Sequence, residues 1–322
     1  LKKITMEVNM LSRVADGMFW LNRYMERTDG MLLTLNTLYI MSFDQETNDY
    51  QGYKPLLKYY TDLAPEHIAE FQHYTNFVLK YVICDNKNLN SVRNLITKAR
   101  ENARGSQDKI TKELWEHINS MYHYINAADL PSRLETPEAI SILAKLNKDF
   151  LLYNGIFHVT MPRGLGWCFS SIGKHIERCL QTISMTQSYY APIEYNLDGK
   201  EDLLYWRKLL LSLSGYELYL KSYSNIPHNR KVIQHVIFNP DFAHSVIFTL
   251  GLIETYLECV FKNNNLMEAR TMRNQFGRLK SYIEYTDYHH LSNYQLEQVL
   301  KNTKDQLNEF SMDFSKLFFS YT

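Results

Sequence analysis

Glycine and proline are scarce in this chain, at 12 and 8 of 322 residues, and period-two apolar alternation is scarcer still. A β-rich fold, which needs both, is excluded. Net charge is missing too: 35 basic residues balance 35 acidic ones. With Lys and Arg scattered rather than gathered into a stripe, the chain lacks the footprint of a nucleic-acid or membrane-surface binder. No run reaches the ~18 apolar residues that span a bilayer. The four cysteines, Cys84, Cys168, Cys179 and Cys259, lie far apart without a CxxC spacing, and predict buried thiols in a reducing compartment. The first residues lack the basic, apolar and small-residue regions of a signal peptide. The expectation is a soluble, cytoplasmic protein.

What is present is helical periodicity. Apolar spacing predicts helices at about 11–41, 65–84, 91–104, 108–127, 136–157, 166–190, 200–222, 229–237, 244–262, 265–286 and 292–319. Ser91, Asp108 and Thr136-Pro137 supply start signals. Long periodic helices with short polar joints give an all-α multi-helix bundle. Residues 42–63 read as the first long loop, and 191–199 as the best internal boundary. One continuous helical body is expected over 10–322, with 1–9 as an extension.

The most informative feature is a Glu-Arg pair that occurs twice in matching surroundings, as Glu26-Arg27 and Glu177-Arg178. On the first helix Val14, Met18, Leu21, Met25, Leu32 and Leu35 form one stripe, while Phe19, Trp20, Tyr24 and Met31 cover much of the rest. A helix apolar nearly all round is buried nearly all round, so these charges need partners. Adjacent helical residues point about 100° apart, so those partners come from elsewhere. Arg93, Arg100 and Arg104 share one helix face beside Glu101, and Arg163 precedes the second Glu-Arg helix, whose N-terminus favours anions.

A metal reading fails at this stage. Glu70 and His73 have Glu-x-x-His spacing, but Asp287 to His290 is a poor second copy, even with Glu254 and Glu258 available. The 24 tyrosines, clustered at Tyr59-Tyr60, Tyr189-Tyr190, Tyr282, Tyr285 and Tyr288, read as rings at helix interfaces. An aromatic partner-binding surface is the alternative.

Met10 to Ala15, followed by Trp20, Arg23, Glu26 and Arg27, resembles the opening of the alpha-E family, bacterial all-helical proteins with a repeated Glu-Arg motif. Arg100 to Arg104 with Trp115 and Asn119 is similar to the family's middle signature, Arg163 to Arg178 to a later one, and Asn239 to Val246 to a further element. The resemblance covers most of the chain in order, and it makes Met10 the expected natural start. Two departures stand out: Ala243-His244 where members often carry Pro-Arg, and Gln107 where they carry Arg. The resemblance implies a circularly permuted ATP-grasp protein and a transglutaminase-like protein as partners, in a system that makes or modifies a peptide-like amide.

Three roles for the charged set compete. Six arginines against three glutamates suggest an anion-binding pocket of Arg13, Glu26, Arg27, Arg100, Glu101, Arg104, Arg163, Glu177 and Arg178, the arginines clamping a carboxylate or phosphate. The same residues would serve a structural scaffold with no ligand, holding helices in register. A transferase-type enzyme would use Glu26 or Glu177 as general base. No Ser-His-Asp, Cys-His or Gly-rich phosphate loop stands out, so the expectation is an accessory protein without activity of its own, needing no cofactor and no metal.

Overall fold

The computed structural model describes residues 2–43, 51–223, 227–261 and 267–319, with side chains from residue 12 onward. Every regular element among them is helical. In chain order these are α1 (Lys2–Met41), α2 (Lys54–Tyr60), α3 (Pro65–Phe71), α4 (Thr75–Ile83), α5 (Val92–Gly105), α6 (Lys112–Ile125), α7 (Leu130–Arg133) and α8 (Ala139–Thr160). There follow α9 (Leu165–Tyr190), α10 (Leu203–Ser212), α11 (Tyr216–Ser222), α12 (His228–Ile233), α13 (Val246–Phe261), α14 (Met267–Glu284) and α15 (Asn293–Phe319). A short 3-10 turn, Ala191–Ile193, follows α9, and a π-helical turn, Gln234–Phe238, follows α12.

Several boundaries differ from expectation, each for a local reason. The helix expected over 65–84 is two, because the chain turns at Gln72–Tyr74 between α3 and α4. That over 200–222 breaks at Leu213–Gly215, where Ser214 adopts φ 55°. The long loop at 42–63 contains α2, started by Pro55 in its first turn. Thr111 rather than Asp108 caps α6, its hydroxyl accepting from Leu114 N. After Thr136-Pro137, the hydroxyl of Thr136 accepts from Glu138 N and α8 begins at Ala139.

The chain divides into two compact units: Leu1–Phe19 with Arg163–Thr322, and Trp20–Pro162. Segment 191–199 lies inside the first of these. There α9 is the central helix, with 20 of its 26 residues buried, among them eight polar or charged ones from Ser170 to Thr186. Its closest approach to the N-terminal part of α1 is made by small residues. Ser170 donates its hydroxyl to Met18 O at 3.3 Å, and Gly173 lies so near Phe19 O that a Cβ would collide with it. Phe19, Phe169, Phe314, Phe318 and Phe319 pack around this crossing, with centroid separations such as 5.7 Å for Phe19–Phe314 and 5.5 Å for Phe169–Phe318.

Helix α13 packs along α9, and Cys168 on α9 is disulfide-bonded to Cys259 on α13, Cα atoms 6.6 Å apart. This corrects the expectation of four thiols. Only the face-to-face packing of α9 and α13 brings together residues 91 positions apart, so spacing alone could not pair them. Cys84 and Cys179 are buried free thiols, and burial pushes both pKa values upward.

In the second unit, α6 packs against both α5 and α8. The expected α1 stripe is buried here too: Leu21, Met25, Leu32 and Leu35 are all core residues. Trp20 and Tyr24 are half-buried and lie ring to ring at 5.5 Å.

Candidate functional site

The charged residues fall into separate local settings in the two units. In the second unit Glu26 is 5% exposed. One turn earlier on the same face, Asn22 accepts a hydrogen bond from the buried Tyr153 hydroxyl at 3.1 Å. Burial first, and the Glu26 carboxylate second, hold the Tyr153 phenol well above its ordinary pKa. Asn22, Glu26 and Tyr153 thus form a buried polar cluster between α1 and α8. Arg27 points elsewhere, as the 100° offset demands. Its guanidinium lies 5.3 Å from the Tyr59 ring and 5.6 Å from the Tyr60 ring, and donates to Tyr59 O at 3.4 Å.

The middle charged string is more ordered than its sequence suggests. Helices α5 and α6 run side by side, and the shared arginine face of α5 points at α6. Arg93 donates through Nε and a terminal nitrogen to Ile125 O, both at 3.2 Å, covering the end of α6. Two turns on, Arg100 donates from Nε to Asn119 Oδ1 at 2.7 Å. Its guanidinium rests 4.4 Å from the Tyr122 ring and 5.6 Å from the Trp115 ring. Glu101 then bridges two arginines, at 3.3 Å from Arg100 and 2.7 Å from Arg104. The Arg104 side chain is 64% exposed. Arg100, Glu101 and Arg104 are therefore brought together, supported by Trp115 and Asn119 of the same signature.

In the first unit, Arg13 is exposed on α1. Exposed Arg163 lies over the Trp167 ring at 3.6 Å, at the entry to α9. Glu177 is 3% exposed in the middle of α9. Next to it Arg178 donates to Ala243 O at 3.5 Å, and one turn on Thr182 donates to His244 O at 2.8 Å. The contacts to Ala243 and His244 use backbone carbonyls, so they do not depend on the side chains at these two positions.

The surrounding Asn239–Ser245 element is a helix entry. Asn239 Oδ1 accepts from Asp241 N at 2.9 Å, and Ser245 Oγ caps α13 by accepting from Phe248 N at 3.1 Å. Its other anchor is His235, in the π-helical turn. The fully buried imidazole stacks on Phe242 at 4.4 Å, faces Gly215 O at 3.2 Å through Nε2 and Asn239 Nδ2 at 3.3 Å through Nδ1. Nε2 must donate to the carbonyl, which leaves Nδ1 to accept from the amide: a neutral ring. Burial lowers its pKa to about 4, the Gly215 hydrogen bond opposing this in part.

These arrangements place both Glu-Arg pairs in packed helices and the middle signature on a partly open face. The Alpha-E family profile, described as a predicted alpha-helical domain with a conserved ER motif, matches residues 10–319. The chain belongs to the Alpha-E family. No curated protein and no solved structure matches it significantly. In this chain the Glu-Arg dipeptide stands as Glu26-Arg27 in α1 and as Glu177-Arg178 in α9.

Two further networks in this Alpha-E protein escaped the sequence reading. Buried Asn229 accepts from Trp206 Nε1 at 2.9 Å and donates to Asn196 O at 2.7 Å and to Glu201, while its carbonyl accepts from Tyr190. Arg230 donates to Tyr288 O, His289 O and Leu291 O, and to Asp198 at 3.1 Å. Adjacent residues thereby fasten two different loops, and Asn-Arg at the start of a short helix gives no pattern that announces it. The carboxylates weighed for a metal are engaged or apart: Glu254 pairs with Lys280, Glu258 with Arg273, and Asp287 with His290. No group of three or more His, Cys, Asp or Glu able to hold a metal ion exists among the described residues. Nor, among them, is any helix long and apolar enough to cross a membrane.

Proposed function

We propose that this Alpha-E protein is a helical accessory protein that grips an anionic group, a carboxylate or phosphate, with Arg100 and Arg104. One observation carries the reading: two guanidinium groups share the single carboxylate of Glu101, which leaves one positive charge to be matched. Arg100 is already ordered by Asn119, Trp115 and Tyr122, so an arriving anion meets a pre-set donor and little side-chain entropy is lost. Arg104 projects toward solvent as the second donor. Arg13 and Arg163, both exposed, are the candidates for a contact in the first unit.

Glu26 and Glu177 suit a packing role better than general-base chemistry. Each is almost fully buried in a long helix, whereas a base must reach its substrate within hydrogen-bond distance. The scaffold reading thus applies to the Glu-Arg pairs, and the binding reading to the middle signature.

On the family resemblance, the partners are a circularly permuted ATP-grasp protein and a transglutaminase-like protein, and the ligand is the acidic group of a peptide or aminoacyl compound. The proposed setting is a bacterial cell, in a compartment that tolerates the Cys168–Cys259 bond.

The test is a thermal-shift panel of phosphates, nucleotides, amino acids and short acidic peptides on the wild type and on Arg104→Ala. An exposed ion pair contributes only ~0–1 kcal/mol, so the variant should fold normally. A ligand that raises the wild-type melting temperature by mass action and not that of the variant supports the reading. Equal shifts in both, or none in either, refute it.

A further inference from the structure

The turn between α3 and α4 is built for something the Glu-Arg motif does not explain. Two pockets, of about 490 and 440 Å3, meet there and share His73, Thr75 and Asn76 as walls. The turn is held firmly. Gly52 takes a left-handed φ of 49°, which lets Tyr53 N donate to Gln72 O at 2.8 Å. A Cβ at Gly52 would lie 2.8 Å from His73 Nδ1, so only glycine permits this approach.

The smaller pocket is aromatic and acidic. Phe71 and Phe77 stack across the turn at 4.1 Å, with Tyr74 edge-on to Phe71 at 6.3 Å and 61% exposed. Glu70 completes the wall. No Lys or Arg lines either pocket, and Glu70 has no ion-pair partner among the described residues. Phe71 and Phe77 cover each other, and Phe77 also stacks on Tyr81 at 5.3 Å, so the exposed Tyr74 ring is the electron-rich face open to a cation, the more so with a carboxylate beside it. The larger pocket has a different character, with Ser42, Gln72, Thr75 and Asn76 offering neutral hydrogen-bonding groups over a floor that includes Tyr39 and Tyr53. Such groups match an amide better than a charge. One ligand that satisfies both pockets carries a cation at one end and an amide at the other.

We propose that the α3–α4 turn binds a basic residue of a peptide, its ammonium or guanidinium held by Tyr74 and Glu70, its aliphatic stem by the edges of Phe71 and Phe77, and its flanking amide by Gln72 and Asn76. The volumes suit a side chain with its adjoining amide rather than a folded partner. Because the walls contain none of the arginines of the proposed anion site, the two readings stand or fall separately.

The experiment is a titration, followed by the amide signals of Thr75 and Asn76 in NMR, with four probes. N-acetyl-lysine methylamide and N-acetyl-arginine methylamide are the ligands; N-acetyl-norleucine methylamide removes the charge and tetramethylammonium removes the amide. The expected result is saturable binding of the first two, with the neutral probe and tetramethylammonium each at least about tenfold weaker, a difference of ~1.4 kcal/mol. Glu70→Gln and Tyr74→Ala, both at exposed positions, should each weaken the lysine probe by about the same factor while leaving the rest of the spectrum in place. Equal binding of the norleucine probe, or unchanged affinity in both variants, overturns the cation site. Tetramethylammonium binding as tightly as the lysine probe overturns the peptide assignment. Absence of saturation by any probe overturns both.

Discussion

Tyr153 donates its hydroxyl to Asn22 at 3.1 Å inside the second unit, one helical turn from the buried carboxylate of Glu26. This phenol–amide contact joins α8 to the Glu-Arg helix and gives the motif a packed polar neighbourhood. Tyr153→Phe removes this donor from Asn22, and the loss of one such hydrogen bond costs ~0.5–1.5 kcal/mol. Urea denaturation followed by tryptophan fluorescence should show the midpoint falling. An unchanged midpoint would mean that the contact contributes nothing.

Two glycines should respond in opposite directions. Gly173→Ala drives a Cβ into Phe19 O at the crossing of α1 and α9 and should destabilise by about 1–3 kcal/mol, as overpacking does. Gly155 lies on an exposed face of α8 with open space around it. There alanine should stabilise by up to ~1 kcal/mol through helix propensity. The same urea titrations read both.

His235 makes stability depend on pH. Its pKa is about 4 in the folded protein against 6.5 as the ordinary value, so the unfolded chain binds the proton more readily. Stability is therefore full above pH 6.5 and is lost as the pH falls from there through about 4. Between pH 7 and 5 the expected loss from this ring is roughly 1–2 kcal/mol. The facing groups, Gly215 O, Asn239, Tyr219, Tyr223 and Phe242, offer no carboxylate to hold the charged form. His235→Phe should flatten the urea midpoint between pH 7 and 5 relative to wild type.

The Cys168–Cys259 bond predicts a count. Alkylation of the denatured, unreduced protein should label two cysteines, Cys84 and Cys179, and prior reduction should raise the number to four. Cys259→Ser should cost about 2–4 kcal/mol, as loss of a bond closing a long loop does. Intact-mass spectrometry gives the first result and denaturation the second.

The sequence revealed features that repeat locally and hid those that depend on packing. The α1 stripe from Val14 to Leu35 is legible because helical period alone sets it. The Arg100 setting was half legible: the family resemblance grouped Trp115 and Asn119 with Arg100 in one signature, but only the pairing of α5 with α6 puts them on Arg100. The turn at Gln72–Tyr74 was hidden because Phe71, Tyr74, Val78 and Tyr81 keep a spacing of three and four across it. Cys168 and Cys259 were unreadable as a pair, since nothing in either helix encodes that α9 lies on α13. His235 carries no motif at all; its neutral state follows from burial beside Gly215 and Phe242.

The central claim is that Arg100 and Arg104 bind an anion, and calorimetric titration tests it most directly. Wild type and Arg104→Ala would be titrated with inorganic phosphate and with N-acetyl-glutamate methylamide, at low and high salt. The account predicts saturable binding of at least one probe to wild type, weakened by salt and by at least about tenfold in a variant of unchanged melting temperature. Equal affinity in the two proteins, or no binding of either probe to wild type, would contradict it.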